Sequence, residues 1–213
     1  MLVEKYVGKS SECKTKTQNL NQKHRAGIIN EMRSMTTIHL HKLLEGLLIN
    51  APDSLFEYMS SIEDQKLLTI HFNVMRGLKL GYRELIAGFD GQMTLAWKAL
   101  LLGKSIPSLQ SIGGEPGEKM TCFSRRAYNR YSVLLDILET NIAALINAEK
   151  VFHPLCPNYL YLSFWHATGQ LGLGCEERLL IVPLFSRFVT DSLGTLLADT
   201  NNMLVDKIEY GHA

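Results

Sequence analysis

The sequence predicts an all-α fold: an irregular bundle of about six or seven helices behind a flexible basic N-terminal tail. Two observations predict it. Apolar residues recur at three-to-four spacing along most of the chain, the signature of amphipathic helices. No run alternates long enough to specify a strand, and no internal repeat is present. At 213 residues, 46% apolar and 20% charged, the chain has globular composition and enough length for a real core. The expected organisation is a mobile basic tail over 1–27, then one helical domain over 28–210 with an internal flexible loop at 105–119.

The first 26 residues are polar, and residues 1–35 hold seven Lys or Arg against three Glu. Such a segment buries too little apolar surface to offset its ordering entropy. From Ile28 the pattern turns helical, through Met32, Met35, Ile38, Leu43, Leu44, Leu47 and Leu48. Asn50-Ala51-Pro52 is expected to end that helix, because proline pushes its predecessor out of helical geometry. Asp53 or Ser54 then caps a helix with Leu55, Phe56, Met59 and Ile62 on its apolar side. Glu63 and Asp64 open a long amphipathic helix from Leu67 to Phe89, resumed over Met93–Leu102. Gly77, Gly81, Gly88 and Gly91 weaken it or permit close packing.

Pro107, Gly113, Gly114, Pro116 and Gly117 mark residues 105–119 as the exposed loop. Ser124 is the expected cap of the next helix, whose stripe runs from Tyr128 through Leu135, Leu138 and Ile142 to Ile146. His153-Pro154-Leu155-Cys156-Pro157 reads as a turn, with Pro157 in the first turn of a helix carrying Leu160, Phe164 and Ala167 inward. Gly169–Gly174 closes that helix. Glu176 and Glu177 suit the next N-terminus. Pro183 predicts a kink about one turn earlier, and Gly194 a bend before a last helix ending near Glu209.

These last segments resemble a known family. Pro154-Leu155-Cys156-Pro157 with Leu160 and Phe164, Arg178-Leu179-Leu180-Ile181, Leu184-Phe185-Ser186-Arg187-Phe188-Val189, Leu193-Gly194-Thr195-Leu196 and Asn202-Met203-Leu204-Val205 are similar to the bacterial domain of unknown function 1631 (DUF1631). Asp53 to Glu57 and Phe72 with Met75-Arg76 extend the resemblance, which runs over 50–205 and is strongest over 153–205. Ser186 stands where the family tends to have Asp, and Pro183 departs from its pattern. Members are longer, so the chain resembles a reduced or partial form. The resemblance implies no established activity. Some members carry a thymidine phosphorylase label, but no glycine loop here leads from a strand into a helix. Some relatives are linked with cyclic di-GMP-binding domains, and this chain has no RxxxR followed by (D/N)xSxxG.

The chemistry-bearing residues are sparse. His153, Cys156, His166 and Cys175 are the candidates for a mixed metal site, although Pro154 and Pro157 also explain that turn as a helix start. His39 and His41 are two apart and point to different helix faces. His71 fits a satisfied core or surface histidine. Cys122 precedes Arg125, Arg126 and Arg130, cations that favour a thiolate, but no GxSxG or base accompanies it. The adjacent pairs Glu63/Asp64 and Glu176/Glu177 fit helix starts better than acid–base catalysis. Expected, therefore, are no catalytic residue, no cofactor and no resident metal.

Net charge is +1, so no global field draws the chain to nucleic acid or membrane. The four cysteines are far apart without a CxxC pair, which with no signal peptide suggests reduced thiols in a cytoplasm. No uninterrupted apolar run approaches membrane-spanning length, the longest candidate being Leu95–Leu102. The expected function is a non-enzymatic bacterial cytoplasmic interaction or regulatory protein with a protein partner, a homo-oligomer being an open form. Lys14, Lys16, Lys23, Arg25, Arg125, Arg126 and Arg130 are the interaction candidates. One alternative is a metal-dependent or thiol enzyme using the His/Cys set. Another is a nucleic-acid-binding regulator using the basic N-terminal segment. Converging His and Cys side chains would favour the enzyme, a continuous basic face the nucleic-acid binder, and an exposed apolar groove the interaction protein.

Overall fold

The computed structural model describes residues 22–210, apart from residues 61, 105 and 150. Among them are seven α-helices and no strand: α1 Gln22–Met59, α2 Gln65–Leu80, α3 Tyr82–Leu101, α4 Gly114–Ile146, α5 Pro157–Thr168, α6 Cys175–Phe188 and α7 Leu193–Tyr210. Short 3₁₀ turns precede α4, follow α5 and precede α7. Most of the predicted tail lies outside the described residues, but its last part does not: residues 22–27 already belong to α1.

The expected stop at Pro52 is overturned, for α1 continues through it to Met59. Proline removes one helix hydrogen bond and costs about 3 kcal/mol inside a helix. The offset comes from beyond it. Ala51, Leu55 and Met59 are buried and continue the inward stripe of Met32, Leu40, Leu44 and Leu48. Asp53 and Ser54 are consequently helix-interior residues and cap nothing. Ile38, assigned to the buried stripe, faces out.

The long helix predicted after Asp64 is two helices. Asp64 does cap α2, its Oδ1 accepting from the Lys66 N–H at 2.7 Å. The helix then breaks at Gly81, and α3 restarts at Tyr82. The cause lies far along the chain. The turn after α5 lays Leu171 against Gly81, where a Cβ would stand 2.3 Å from the leucine Cδ2. Close packing, the other reading of these glycines, is therefore what Gly81 serves.

The segment 105–119 is also corrected. Leu109–Ser111 forms a 3₁₀ turn with Leu109 buried, and α4 already begins at Gly114. Proline in the first turn of a helix loses an N–H that has no intrahelical partner anyway, so Pro116 is compatible with that start. Ser124 is not a cap; it is buried within α4 and its hydroxyl donates to the Asn158 side chain. Gly117 sits where a Cβ would lie 2.0 Å from the Ile112 carbonyl oxygen, a backbone atom that cannot swing aside. Gly117→Ala is therefore expected to lower stability by about 1–3 kcal/mol through overpacking. Gly91→Ala in α3, where a Cβ meets nothing within 4 Å, is expected to raise it by up to ~1 kcal/mol. Thermal melts of the two variants check the contrast, and a matching response at both sites would remove the close approach as its cause.

The starts of the last helices follow the sequence reading, but the kink expected before Pro183 does not interrupt α6, which runs unbroken from Cys175 to Phe188. Pro157 opens α5, and Glu177 turns back to accept from the Gly174 N–H at 2.5 Å at the start of α6. The α4 helix is kinked at Tyr131, whose backbone is non-helical (φ −115, ψ 17). Its hydroxyl donates to the Asp191 carbonyl at 2.5 Å, and Arg130 pairs with the Asp191 carboxylate at 2.7 Å. Both contacts fasten α4 to the turn before α7. Asn201, buried on α7, donates to the Leu134 carbonyl at 3.0 Å, just beyond the kink.

The core centres on α5, which is buried on nearly every side and packs mainly on α3 and α4. Phe185 of α6 stacks on Phe164 with centroids 4.0 Å apart, meets Tyr161 edge-on at 5.2 Å and touches Phe89 of α3. Arg178 closes the C-terminal end of α5. Its guanidinium lies 3.7 Å from the Trp165 ring centroid and donates to the Trp165 carbonyl and the Thr168 hydroxyl. Phe164, Phe185, Leu193 and Leu204 are buried as expected, while Leu184 is only partly so.

One stretch, Cys175–Ile208, is long and apolar enough by composition to cross a membrane, with half of it buried in the fold. It passes on mean hydropathy over a window, a measure that tolerates the polar residues interspersed in it, whereas the expected maximum at 95–102 rests on uninterrupted length. Pro183 and the 3₁₀ turn at Thr190–Ser192 lie within it.

Candidate functional site

Helices α1 and α2 pack on one another, and Leu48, Leu55, Val74 and Leu78 on them are buried. Above that seam each helix keeps a second apolar row that the described residues leave largely exposed, Pro52 and Met75 being half-buried at its base. On α1 the row is Ile49, Pro52 and Phe56, at three-to-four spacing; on α2 it is Phe72 and Met75, with Leu80 at its end and Tyr82 of α3 beyond it. Ile49 is 72% exposed, Phe72 57% and Leu80 70%. Between the rows runs a groove of about 780 Å³, lined by residues of both helices. Scattered single exposed apolar residues are ordinary, but several around one concavity mark a binding surface. Pro52 has no N–H, so the Leu48 carbonyl beside it lacks its usual helix donor.

Among the described residues, the charged side chains lining this groove are Arg76 and Lys79. Among the described residues neither makes an ion pair. The groove is thus an apolar trough with a cationic side. Sequence reading placed Phe72 beside His71 without assigning it a surface. It assigned Phe56 to a buried face. The available signal was that α1 carries more large apolar residues than one inward stripe can hold.

The predicted metal candidates do not assemble. His153 is buried, Cys156 half-buried, and His166 and Cys175 are exposed. Among the described residues no three His, Cys, Asp or Glu side chains gather. Burial holds the His153 imidazole down to about 4 and raises the Cys156 thiol, so the first is a neutral base and the second a protonated thiol at neutral pH. Among the described residues His153 Nδ1 has no hydrogen-bond partner. His71 is a core histidine, its Nδ1 hydrogen-bonded to the Leu67 carbonyl at 2.8 Å and its ring parallel to Tyr58. His41 departs from the sequence reading differently: its Nε2 lies 2.5 Å from Asp90 Oδ2, a tie between α1 and α3.

The basic candidates separate as well. Lys14 and Lys16 lie outside the described residues. Lys23 is exposed and Arg25 partly buried at the start of α1. Arg125 and Arg126 line a second depression with Cys122, Thr121 and Glu118 along α4, closed on its other side by Leu109 and Ile112. Arg126 also stands 5.5 Å from the Phe123 ring centroid. Arg130, bound to Asp191, is a structural tie.

No curated protein and no solved structure matches the chain. A family model does, over a narrower span than the 50–205 expected, so residues 50–118, and the whole of the groove, fall outside it. From the first turns of α4 to the last turn of α7, residues 119–207 match the family described as Protein of unknown function (DUF1631) N-terminal domain, the family that the motifs of its last helices resemble.

Proposed function

We propose that the chain is a non-enzymatic interaction or regulatory protein of the bacterial cytoplasm, and that it holds a protein partner in the α1–α2 groove. The observation that carries this reading is the uncovered apolar rows of Ile49 and Phe72 on either side of one trough. The chemistry seen elsewhere supports it. His153 is neutral and shut inside the core, and the Cys156 thiol is held protonated, so neither suits the metal or thiol-enzyme alternative.

The test is capture of partners from the native host with the intact chain and with Phe72→Glu. Phe72 is 57% exposed, so the substitution should leave the fold intact, with stability changed by no more than about 0.5 kcal/mol. A charge in the middle of the trough is expected to reduce recovery of the bound partner at least about tenfold, a 1.4 kcal/mol effect. Equal recovery by a folded Phe72→Glu protein would remove the groove as the binding surface.

A further inference from the structure

We infer that the groove receives a single amphipathic helix from a partner protein, with carboxylates along the flank that meets Arg76 and Lys79. This rests on the proposed reading of the groove and names what fills it. Three features select the occupant. The α2 wall, Phe72–Leu80, runs about two helical turns, roughly 12 Å, and faces Ile49 and Pro52 of α1. That length accepts apolar anchors at i, i+3 or i+4, and i+7 of one helix laid beside α1 and α2 as a third.

The second feature is charge. Both charged lining residues are cationic, and among the described residues no carboxylate lines the trough. A partner's Glu or Asp would supply the missing sign, and a basic flank would meet like charge at close range. The same point disfavours a second copy of this chain: a two-fold contact across the groove would set Arg76 and Lys79 against themselves. The third feature is shape. A lipid surface favours apolar side chains on a protruding face, whereas these form the two walls of a depression. A small amphiphile is normally enclosed over most of its surface; these walls, with Ile49 and Leu80 about 70% exposed, leave an occupant open along one side.

The experiment uses fluorescent, covalently stapled helical peptides of about 14 residues, or four turns. All share one apolar stripe of Leu and Phe and carry Glu, Gln or Lys along the flanks. Binding to the full chain is read by anisotropy for the wild type, for Phe72→Glu, and for the double variant Arg76→Glu/Lys79→Glu. Melting curves confirm that each is folded. The Glu-flanked peptide is expected to bind at least about tenfold more tightly than the Lys-flanked one. The double variant is expected to reverse that order, and Phe72→Glu to lose all of the peptides.

Equal affinity for the two flanks, an order unchanged by the double variant, or no binding of any peptide would overturn the acidic-helix inference. If Phe72→Glu nonetheless abolishes partner capture, the groove remains the binding surface and only its occupant has been misassigned. Capture unaffected by Phe72→Glu would instead bring down the reading of the groove itself. Vesicles of phosphatidylserine and phosphatidylcholine, and sedimentation of the chain alone, complete the set. Vesicle binding, or a dimer, that Phe72→Glu abolishes would assign the groove to a membrane or to a second copy, and either result overturns the inference.

Discussion

Phe185→Ala is expected to cost about 3–5 kcal/mol, among the largest single-residue losses this fold can show. The ring is completely buried and contacts three aromatic residues from two other helices: Phe89 on α3, Tyr161 and Phe164 on α5. Alanine removes both the transferred apolar area and the filling of a space whose walls are rigid rings, which relax poorly into a void. Each ring pair adds about 0.5–1.5 kcal/mol beyond area alone. For a chain of this size the loss corresponds to a fall in Tm of about 6–20 °C. Phe188→Ala, on a partly buried ring of the same helix, is the control and should cost much less. A Phe185→Ala protein that melts like the wild type would show that α6 does not present this face to α5.

A comparably large effect is expected from pH, acting through His153. The side chain is buried, and desolvation lowers its pKa from 6.5 to about 4 in the folded protein. Above pH 6.5 both folded and unfolded chains hold the imidazole neutral, and the residue contributes no pH dependence. As pH falls below 6.5 the unfolded chain takes up the proton first, so the folded state loses relative stability. The loss accumulates down to about pH 4, where the folded form titrates too, and amounts to about 3 kcal/mol in all. His153→Leu removes the titrating group and its unpartnered Nδ1. Denaturant unfolding at pH 7 and 4.5 should therefore show a stability decrement about 2–3 kcal/mol smaller in the variant than in the wild type. The carboxylates titrate in both proteins and cancel in the comparison. Identical decrements would mean that the imidazole reaches water.

How far the sequence could be read depends on where the deciding interaction lies. Pro157 in the first turn of α5 and Glu177 folding back on Gly174 are local devices, confined to a few neighbouring residues, and both were legible. The end of α1 was not. Pro52 is a local stop signal, overridden by the burial of Ala51, Leu55 and Met59 against helices remote in sequence. Gly81 offered two readings, and only the arrival of Leu171 from ninety residues onward chose between them. Likewise Gly114 to Gly117 has a composition that serves a loop and a helical first turn equally well.

The groove was hidden for a further reason. Phe72 and Ile49 are chemically indistinguishable from core residues. Which apolar row of a helix faces inward depends on how its neighbours are arranged, and periodicity alone does not carry that information. His153 shows the same limit in reverse, since its flanking prolines advertised a turn and concealed that the turn is folded into the core.

The enclosure of α5 also changes what the family match can mean as a physical unit. Residues 119–207 contain α4 to α7, but one of the two main walls around α5 is α3, which lies before the match begins. Cut at the boundary of the match, the chain would keep its most apolar helix and lose the surface bearing Phe89, Met93 and Trp97 that shields it from water. The stretch that is recognisable by sequence and the stretch that can exclude solvent are therefore different lengths of chain. A fragment trimmed to the former would present an open hydrophobic flank, and its natural fate is association with whatever apolar surface it meets.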